Sequence, residues 1–397
     1  MHWPLSGVKV LDLGQIYNGS YAGFLLAHAG ADVVKVEPLR GDALRVRGAG
    51  GETPLSFVML NTNKRGLALD LKTDDGRALL NRLVKEADVL LENFAPGALA
   101  RLGVHAEDLM AQNPRLVYAS GSGYGLSGPA KDNLAMDLTV QAVGGVMSIN
   151  GPEDGPPLKT GLAICDFFGG THLYAGIMTA LYEAGVTGKG RKVEVSMQEA
   201  VFPVLASNLA SMYKQGGGQP ERRGNRHPTR GPGPYNVYRC TDGHVAIICV
   251  REVHWQSFAK LMSREDLLED PRFSSPKARS ENDTALDEIV EAWTMAHDKD
   301  DAAAKLKAAR VPAAPVRDLV EVTRDEHMHQ RGMLHDIDHP KLGSVVLPAS
   351  PLRFSDTPPA EVRPEPDLGQ HTDEVLMEWL DMPAIEIDRL RAEKVVA

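Results

Sequence analysis

The chain has 397 residues, 43% hydrophobic and 24% charged, which suits a globular protein large enough for two domains and excludes a fibrous or disordered one. Its formal net charge of −10 argues against broad nucleic-acid binding and leaves room for a local basic site that holds a small anion. The three cysteines, Cys165, Cys240 and Cys249, form no CxxC pair, so neither a disulfide framework nor a metal site is expected.

In chain order, the aliphatic runs VKVLDL at 8–13, ADVVKVEP at 31–38, LALDL at 67–71, ADVLLEN at 87–93 and RLVYASGSG at 115–123 predict buried parallel strands. Between them, TDDGRALLNRLVKEA at 73–87 carries Asp in its first turn and Leu at helical spacing, as a crossover helix requires. A doubly wound α/β sheet is the expected architecture. After Gly190, RKVEVSMQEAVFPVLASNLASMYKQ reads as a strand running into a long apolar helix, followed by a Gly/Arg/Pro-rich linker or site loop at 216–234. From Tyr235, YNVYRCTDGHVAIICV predicts two short strands around Thr241-Asp242-Gly243, then charged helices to about Ala309, together a smaller α+β domain. The tail holds the strand-like HPKLGSVVLPASPLRF and the helix TDEVLMEWL at 372–380. Asp or Lys interrupts every apolar stretch before it reaches bilayer length and no leader pattern opens the chain, so a cytoplasmic protein without a membrane partner is expected.

The segment GLAICDFFGGTHLYAGIMTAL, Gly161 to Leu181, holds one acid, Asp166, among small and apolar residues. Two readings stay open: Asp166 caps the helix that begins there, or the electropositive helix start keeps a reactive carboxylate ionised where water is scarce. Gly161, Gly169 and Gly170 fit either close approach of a bulky substrate or tight helix packing. The turn after the first strand, GQIYNGSYAG, spaces its glycines at 14, 19 and 23, unlike the G-x-G-x-x-G of dinucleotide-binding folds. Glu37, at the end of the second strand, stands where a ribose-binding acid would, and keeps an NAD-dependent oxidoreductase as an alternative. Neither a G-x-S-x-G elbow nor an H-E-x-x-H motif occurs.

Several long motifs in order, VLDLGQIYNGSYAGFLLAHAGADVVKVEPLRGDALR at 10–45, NTNKRGLALDLKTDDGR at 61–77, ADVLLENFAPGALARLG at 87–103, the Asp166 segment, TGKGRKVEVSMQEAV at 187–201 and GNRH at 224–227, resemble the class III CoA-transferases of the CaiB/BaiF type. That family includes formyl-CoA transferase, the carnitine CoA-transferases and α-methylacyl-CoA racemase. The resemblance implies a Rossmann-like large domain formed by both chain ends, a smaller inserted α+β domain and an interlocked homodimer. The expected division is 1–200 for the N-terminal part of the large domain, 201–230 for a linker or site loop, 231–325 for the small domain and 326–397 for the return to the large domain.

The resemblance also makes Asp166 the nucleophile, which attacks an acyl-CoA thioester and passes through an anhydride and an aspartyl-CoA thioester before a free carboxylic acid takes the CoA. Coenzyme A is thus a substrate, and no metal is needed. Positions matching the family's CoA contacts are Leu69, Lys72, Asn93, Phe94 and Arg101, with Arg40 a further candidate two residues after Pro38, which stands where formyl-CoA transferase has arginine. Asp137 is expected to support Asp166 or to serve as an ordinary helix N-terminal acid. Arg222, Arg223, Arg226, His227 and Arg230 offer cations for the free carboxylate of a dicarboxylic acid, with a solvated linker as the alternative. The alternatives in function are racemisation at the α-carbon, with Asp137 and Glu252 as acids, and an acyl-CoA-binding protein without turnover. Racemisation lacks its histidine, because that position is Met136 and a thioether transfers no proton.

Overall fold

Branched and aliphatic side chains on both faces make the N-terminal runs fit for burial on two sides, and each forms a parallel strand in the computed structural model, which describes residues 2–48, 53–229 and 231–397. The strands are β1 (Lys9–Asp12), β2 (Asp32–Glu37), β3 (Arg65–Ala68), β4 (Val89–Glu92), β5 (Val117–Ser122) and β6 (Lys192–Ser196). Their order is β3-β2-β1-β4-β5-β6, with every pairing parallel. The order reverses between β1 and β4, and such a reversal opens a crevice at the carboxyl ends of the strands.

Alternate strand residues feed two cores. Leu11, Val34 and Leu90 pack with helix Asp74–Glu86 and with Val375, Trp379 and Ile387 from the C-terminal helices, whereas Val10, Val33 and Leu91 face Leu26 and Ile177 from helices Asn18–His28 and Ile164–Thr187. Helix Asp74–Glu86 starts as its sequence predicts, with the Thr73 hydroxyl accepting from the Gly76 N–H at 3.0 Å. The run at 67–71 departs from expectation: β3 ends at Ala68, because Leu69 bridges Val396 and the Asp70 N–H donates to the Val395 carbonyl at 2.9 Å.

The chain divides into two compact units, one of Met1–Gly144, Gly161–Pro203 and Asp325–Ala397, the other of Gly145–Thr160 and Val204–Arg324. The first includes the antiparallel pair β10 (Leu334–His339) and β11 (Gly343–Pro348). The second has an antiparallel sheet of β7 (Tyr235–Arg239), β8 (His244–Ile248) and β9 (Ala313–Pro315), with Trp255, Phe258 and Phe273 fully buried beside it. The single long helix expected after β6 is instead helix Met197–Val201, the 3-10 turn Phe202–Leu205 and helix Ala206–Lys214. Pro203 lacks the N–H that a continuous helix would use there. Among the described residues no helix is long and apolar enough to cross a membrane.

One charged pair organises the carboxyl end of the sheet. The Lys64 ammonium donates to Asp12 Oδ2 at 2.7 Å, to the Ser20 carbonyl at 2.9 Å and to Asn61 Oδ1 at 3.0 Å, and both charged side chains are 0% exposed. Burial lowers the Lys64 pKa to about 8 against the opposing pull of Asp12. Asp12 Oδ1 meanwhile accepts from the Gly14 N–H at 2.7 Å, so the pair also shapes the turn after β1. Gly23 completes the fit, since a Cβ there would lie 2.3 Å from Asp12 Oδ2.

Replacing one partner strands a buried charge, so Lys64→Met should lower stability by about 3–5 kcal/mol in urea unfolding. Combining it with Asp12→Asn, which removes the stranded charge, should restore more than half of that loss.

Candidate active site

Asp166 does not cap its helix. Helix Ile164–Thr187 has Ala163 at its N-cap and places Asp166 in its first turn, and the cap comes from elsewhere in the chain. Asp137, the first residue of helix Asp137–Val143, accepts through Oδ2 from the backbone N–H groups of Cys165 at 2.8 Å and Asp166 at 3.3 Å. Its other oxygen accepts from Gln141 Nε2 at 2.5 Å, and that amide also donates to the Leu162 carbonyl at 3.1 Å. The Asp166 side chain is thereby freed from capping.

The half-buried Asp166 carboxylate has its pKa raised to about 7, first by burial and then by the negative charge of Asp137. The helix start therefore does not hold it in the ordinary ionised range, because desolvation and a like charge outweigh the attraction of the helix terminus. The adjacent Cys165 thiol is fully buried, and burial pushes its pKa up to about 12, so it is not a rival nucleophile at neutral pH.

Asp166 lines a cavity of about 500 Å³ with Gln15 and Asn18 after β1, Asn93 and Phe94 after β4, and Tyr124 after β5. This is the crevice at the reversal of strand order. A neighbouring cavity of about 310 Å³ lies over the ends of β1 to β4 and gathers Arg40, Leu69, Lys72 and Phe94. Gln15 and Phe94 belong to both walls. Of the six positions expected to meet CoA, four thus share one cavity, Phe94 also joins Asn93 beside Asp166, and Arg101 lines neither. Arg101 is exposed on helix Ala98–Arg101, with Nη1 3.5 Å from the Pro96 carbonyl. Asn93 is also a brace: its Oδ1 accepts from the Gln15 N–H at 2.6 Å and its Nδ2 donates to the Gln15 carbonyl at 2.9 Å.

Sequence reasoning missed Gln15 and Asn18, both of which line the Asp166 cavity. Asn18 is 3% exposed, and its Oδ1 has no hydrogen-bond partner. Gly169 reads as close packing, because a Cβ there would fall 2.1 Å from Asn18 Nδ2, whereas Gly161 has nothing within 4 Å. The available signal was the cluster of glycines around the β1 turn, which implies close approach without naming what approaches.

Other candidates are held in structural pairs. Glu37 is 1% exposed, accepts from Arg45 Nε and Nη2 at 2.8 and 2.7 Å and from the Asp42 N–H at 2.9 Å, so both its oxygens are tied to structural partners inside the chain, unlike the ribose-binding acid of the dinucleotide alternative. Glu252 is clamped by Arg279 at 2.7 and 3.2 Å, with the guanidinium stacked over Trp255, which removes it as a free proton-transfer acid. In the second unit, Arg226 reaches Asp287 at 2.6 and 2.9 Å, and Arg223 pairs with Asp283. Arg222 donates to the Pro152 and Gly155 carbonyls. His227 Nδ1 meets the Thr229 hydroxyl at 2.7 Å, and its ring lies edge-on to Tyr235. The loop's guanidinium donors are thus engaged within the unit, a geometry unlike a waiting carboxylate receptor; Arg230 lies outside the described residues.

A sequence profile described as CoA-transferase family III matches residues 5–372. The chain belongs to CoA-transferase family III. It is 35% identical to a formyl-CoA:oxalate CoA-transferase of Streptomyces coelicolor, over 99% of both chains. It is 34% identical to a succinate–glutarate CoA-transferase of Agrobacterium fabrum, over 94% of this chain and 95% of that one. Among solved structures, a CaiB/BaiF family protein from Brucella suis superposes with a TM-score of 0.85 at 34% identity, covering 96% of this chain and 100% of that one. As a family III CoA-transferase, the enzyme uses acyl-CoA as a substrate.

The raised Asp166 pKa has a consequence for stability. The folded value of about 7 lies above the ordinary 3.8, so the native state binds the proton more tightly and loses stability as pH rises between the two. Asparagine does not titrate, so Asp166→Asn should gain on the parent enzyme from pH 5 to pH 8, ending about 1–3 kcal/mol more stable. Urea melts at the two pH values measure the gap.

Proposed function

We propose that this family III CoA-transferase moves CoA from an acyl-CoA thioester to a free carboxylic acid with Asp166 as the covalent nucleophile. The observation that carries the reading is the placement of Asp166 in the crevice at the strand reversal, its pKa raised to about 7, beside a second cavity that shares Gln15 and Phe94 with it. An elevated pKa makes the ionised carboxylate a stronger nucleophile while leaving a useful fraction ionised at neutral pH.

In the first step an Asp166 oxygen attacks the thioester carbonyl, the carbon–sulfur bond breaks, and a mixed anhydride and CoA thiolate result. The thiolate then attacks the Asp166 side-chain carbonyl, releasing the donor acid as its carboxylate and leaving aspartyl-CoA. The acceptor carboxylate attacks that thioester and expels the thiolate, and the thiolate takes the acceptor acyl group from the second anhydride, restoring Asp166. No proton or electron is consumed, and the thioester's free energy is conserved. Asp137 is a positioning residue, which holds the helix start by its two backbone N–H groups and raises the basicity of Asp166 by its charge. For the nucleotide end of CoA, Arg40 and Lys72 supply cations, and Leu69 and Phe94 an apolar wall. A homodimer belongs to the same reading and is supported by the exposed Tyr182 and Val186 on the nucleophile's helix.

Racemisation finds no support in the site, where Met136 lines the Asp166 cavity and Glu252 is bound to Arg279.

Enzyme mixed with acyl-CoA and no acceptor should accumulate a CoA thioester on the peptide 161–181, detected by mass spectrometry, and hydroxylamine should convert it to a hydroxamate. The value of kcat/KM should rise with pH and level off above an apparent pKa of about 7. Asp166→Asn transferring CoA at the parental rate without an adduct would sink the mechanism.

Changing Lys72 or Arg40 to Ala should raise KM for acyl-CoA at a cost of about 1–3 kcal/mol and leave KM for the acceptor acid nearly unaltered. Equal effects on both substrates, read from initial rates, would remove these residues from the CoA site.

A further inference from the structure

The first unit contains a third cavity, of about 320 Å³, that shares no lining residue with the cavity of Arg40 and Lys72. Tyr17 reaches it from just before helix Asn18–His28, Tyr21 and Phe24 from within that helix, Met59 and Leu60 from helix Leu55–Asn61, and Phe167 from the position after the nucleophile. The aromatic rings pack on one another: Phe167 lies 4.7 Å from Tyr21 and 6.1 Å from Tyr17 between ring centroids, and Tyr21 lies 5.7 Å from Phe24. This wall is tied to the Asp166 cavity by the chain itself. Tyr17 sits between Ile16 and Asn18, both of which line the nucleophile's cavity, and Phe167 follows Asp166 directly.

We propose that this aromatic cavity receives the acyl group, and that the enzyme's carboxylic acids carry an apolar, branched or aromatic substituent in place of a second carboxylate. The proposal rests on the Asp166 mechanism. With the thioester carbonyl at Asp166 and the CoA moiety held by Arg40 and Lys72, the wall carried by Phe167 and Tyr17, each one residue along the chain from a side chain of the nucleophile's cavity, is the apolar surface within reach of the acyl group. The volume exceeds the roughly 10–15 Å³ that one water needs by a wide margin, so the cavity has room for a substituent of many atoms. Among the described residues its wall carries no charge, and its polar groups are the hydroxyls of Tyr17, Tyr21 and Ser56. Burial raises the Tyr21 pKa and keeps that hydroxyl neutral. A second carboxylate entering this wall would lose its water without gaining a cation, whereas a hydrocarbon or a ring would gain by leaving water. The guanidinium groups of Arg223 and Arg226 are already committed to Asp283 and Asp287.

The test reads the half-reaction, which depends on the acyl group alone. Enzyme is mixed without acceptor with hexanoyl-CoA, 3-phenylpropanoyl-CoA, acetyl-CoA, succinyl-CoA or oxalyl-CoA, and the Asp166 adduct is timed by mass spectrometry. Hexanoyl and phenylpropanoyl donors should form it at least about 30-fold faster than the two dicarboxylic donors, in the range that a hydrophobic pocket discriminates. Met59→Trp, which fills the cavity, should slow phenylpropanoyl-CoA more than about tenfold and leave acetyl-CoA within about threefold. Ser56→Phe fills it from another side and serves if Met59→Trp does not fold. Adducts that form faster from succinyl-CoA or oxalyl-CoA, or fillers that leave the donor ratios unchanged, would overturn the pocket assignment while the covalent mechanism stands. An Asp166→Asn enzyme that still turns over every donor would overturn both.

Discussion

The buried contact between Lys64 and Asp12 is the constraint on which the crevice depends. A buried charge tolerates no partial solution, so its ligands must sit where the ammonium needs them: the end of β1, the carbonyl of Ser20 in the first helix, and Asn61. Those anchors fix both ends of the β1 turn. A second buried lysine repeats the device, with Lys35 donating to the Gly14 carbonyl and to Asp42 at 2.8 Å. Asn93 then ties the turn to the loop after β4 by two bonds to Gln15. A network of buried polar bonds thus holds the β1 turn, from which Gln15 and Asn18 enter the Asp166 cavity.

The two aspartates of the site divide a conflict between stability and chemistry. Asp137 gains from the exposed N–H groups of a helix start, and its charge raises the energy of the Asp166 carboxylate nearby. The same like-charge pressure that costs the native state makes the second acid more basic. Gln141 carries part of the load by donating to Asp137 Oδ1 and to the Leu162 carbonyl, so the loop before the nucleophile cannot relax away.

Local features were legible in the sequence. Four of the five aliphatic runs and the helix at 372–380 follow from periodicity, and each formed within a residue or two of its expected place, while the run at 67–71 gave a strand that ends at Ala68. The family motifs brought attention to Arg40, Leu69, Lys72 and Phe94, and the cavity they share is built at four separate strand ends. What escaped was non-local. Nothing in MDLTVQA shows that its aspartate caps a helix that begins at Ile164, and nothing in the basic loop shows that Asp283 and Asp287 wait for its arginines. The short strand Ala313–Pro315 lacks a pattern of its own and exists because β8 offers it an edge. Pro203 breaks the helix that the apolar run around it suggests.

The closure of the sheet edge by Val395 and Val396 has a bearing on how the enzyme comes into being. The strand end that leads to Leu69 and Lys72 pairs with residues made hundreds of positions later, so that edge stays uncovered until those residues have been made. Within β3 itself the outer backbone groups of Gly66 and Ala68 wait for His371 and Thr372, and until those arrive they are open to any strand that passes. Long-range closure of this kind is slow to find. The second unit, whose strands and helices come largely from one continuous stretch, carries no such delay and is free to organise while the first is still incomplete.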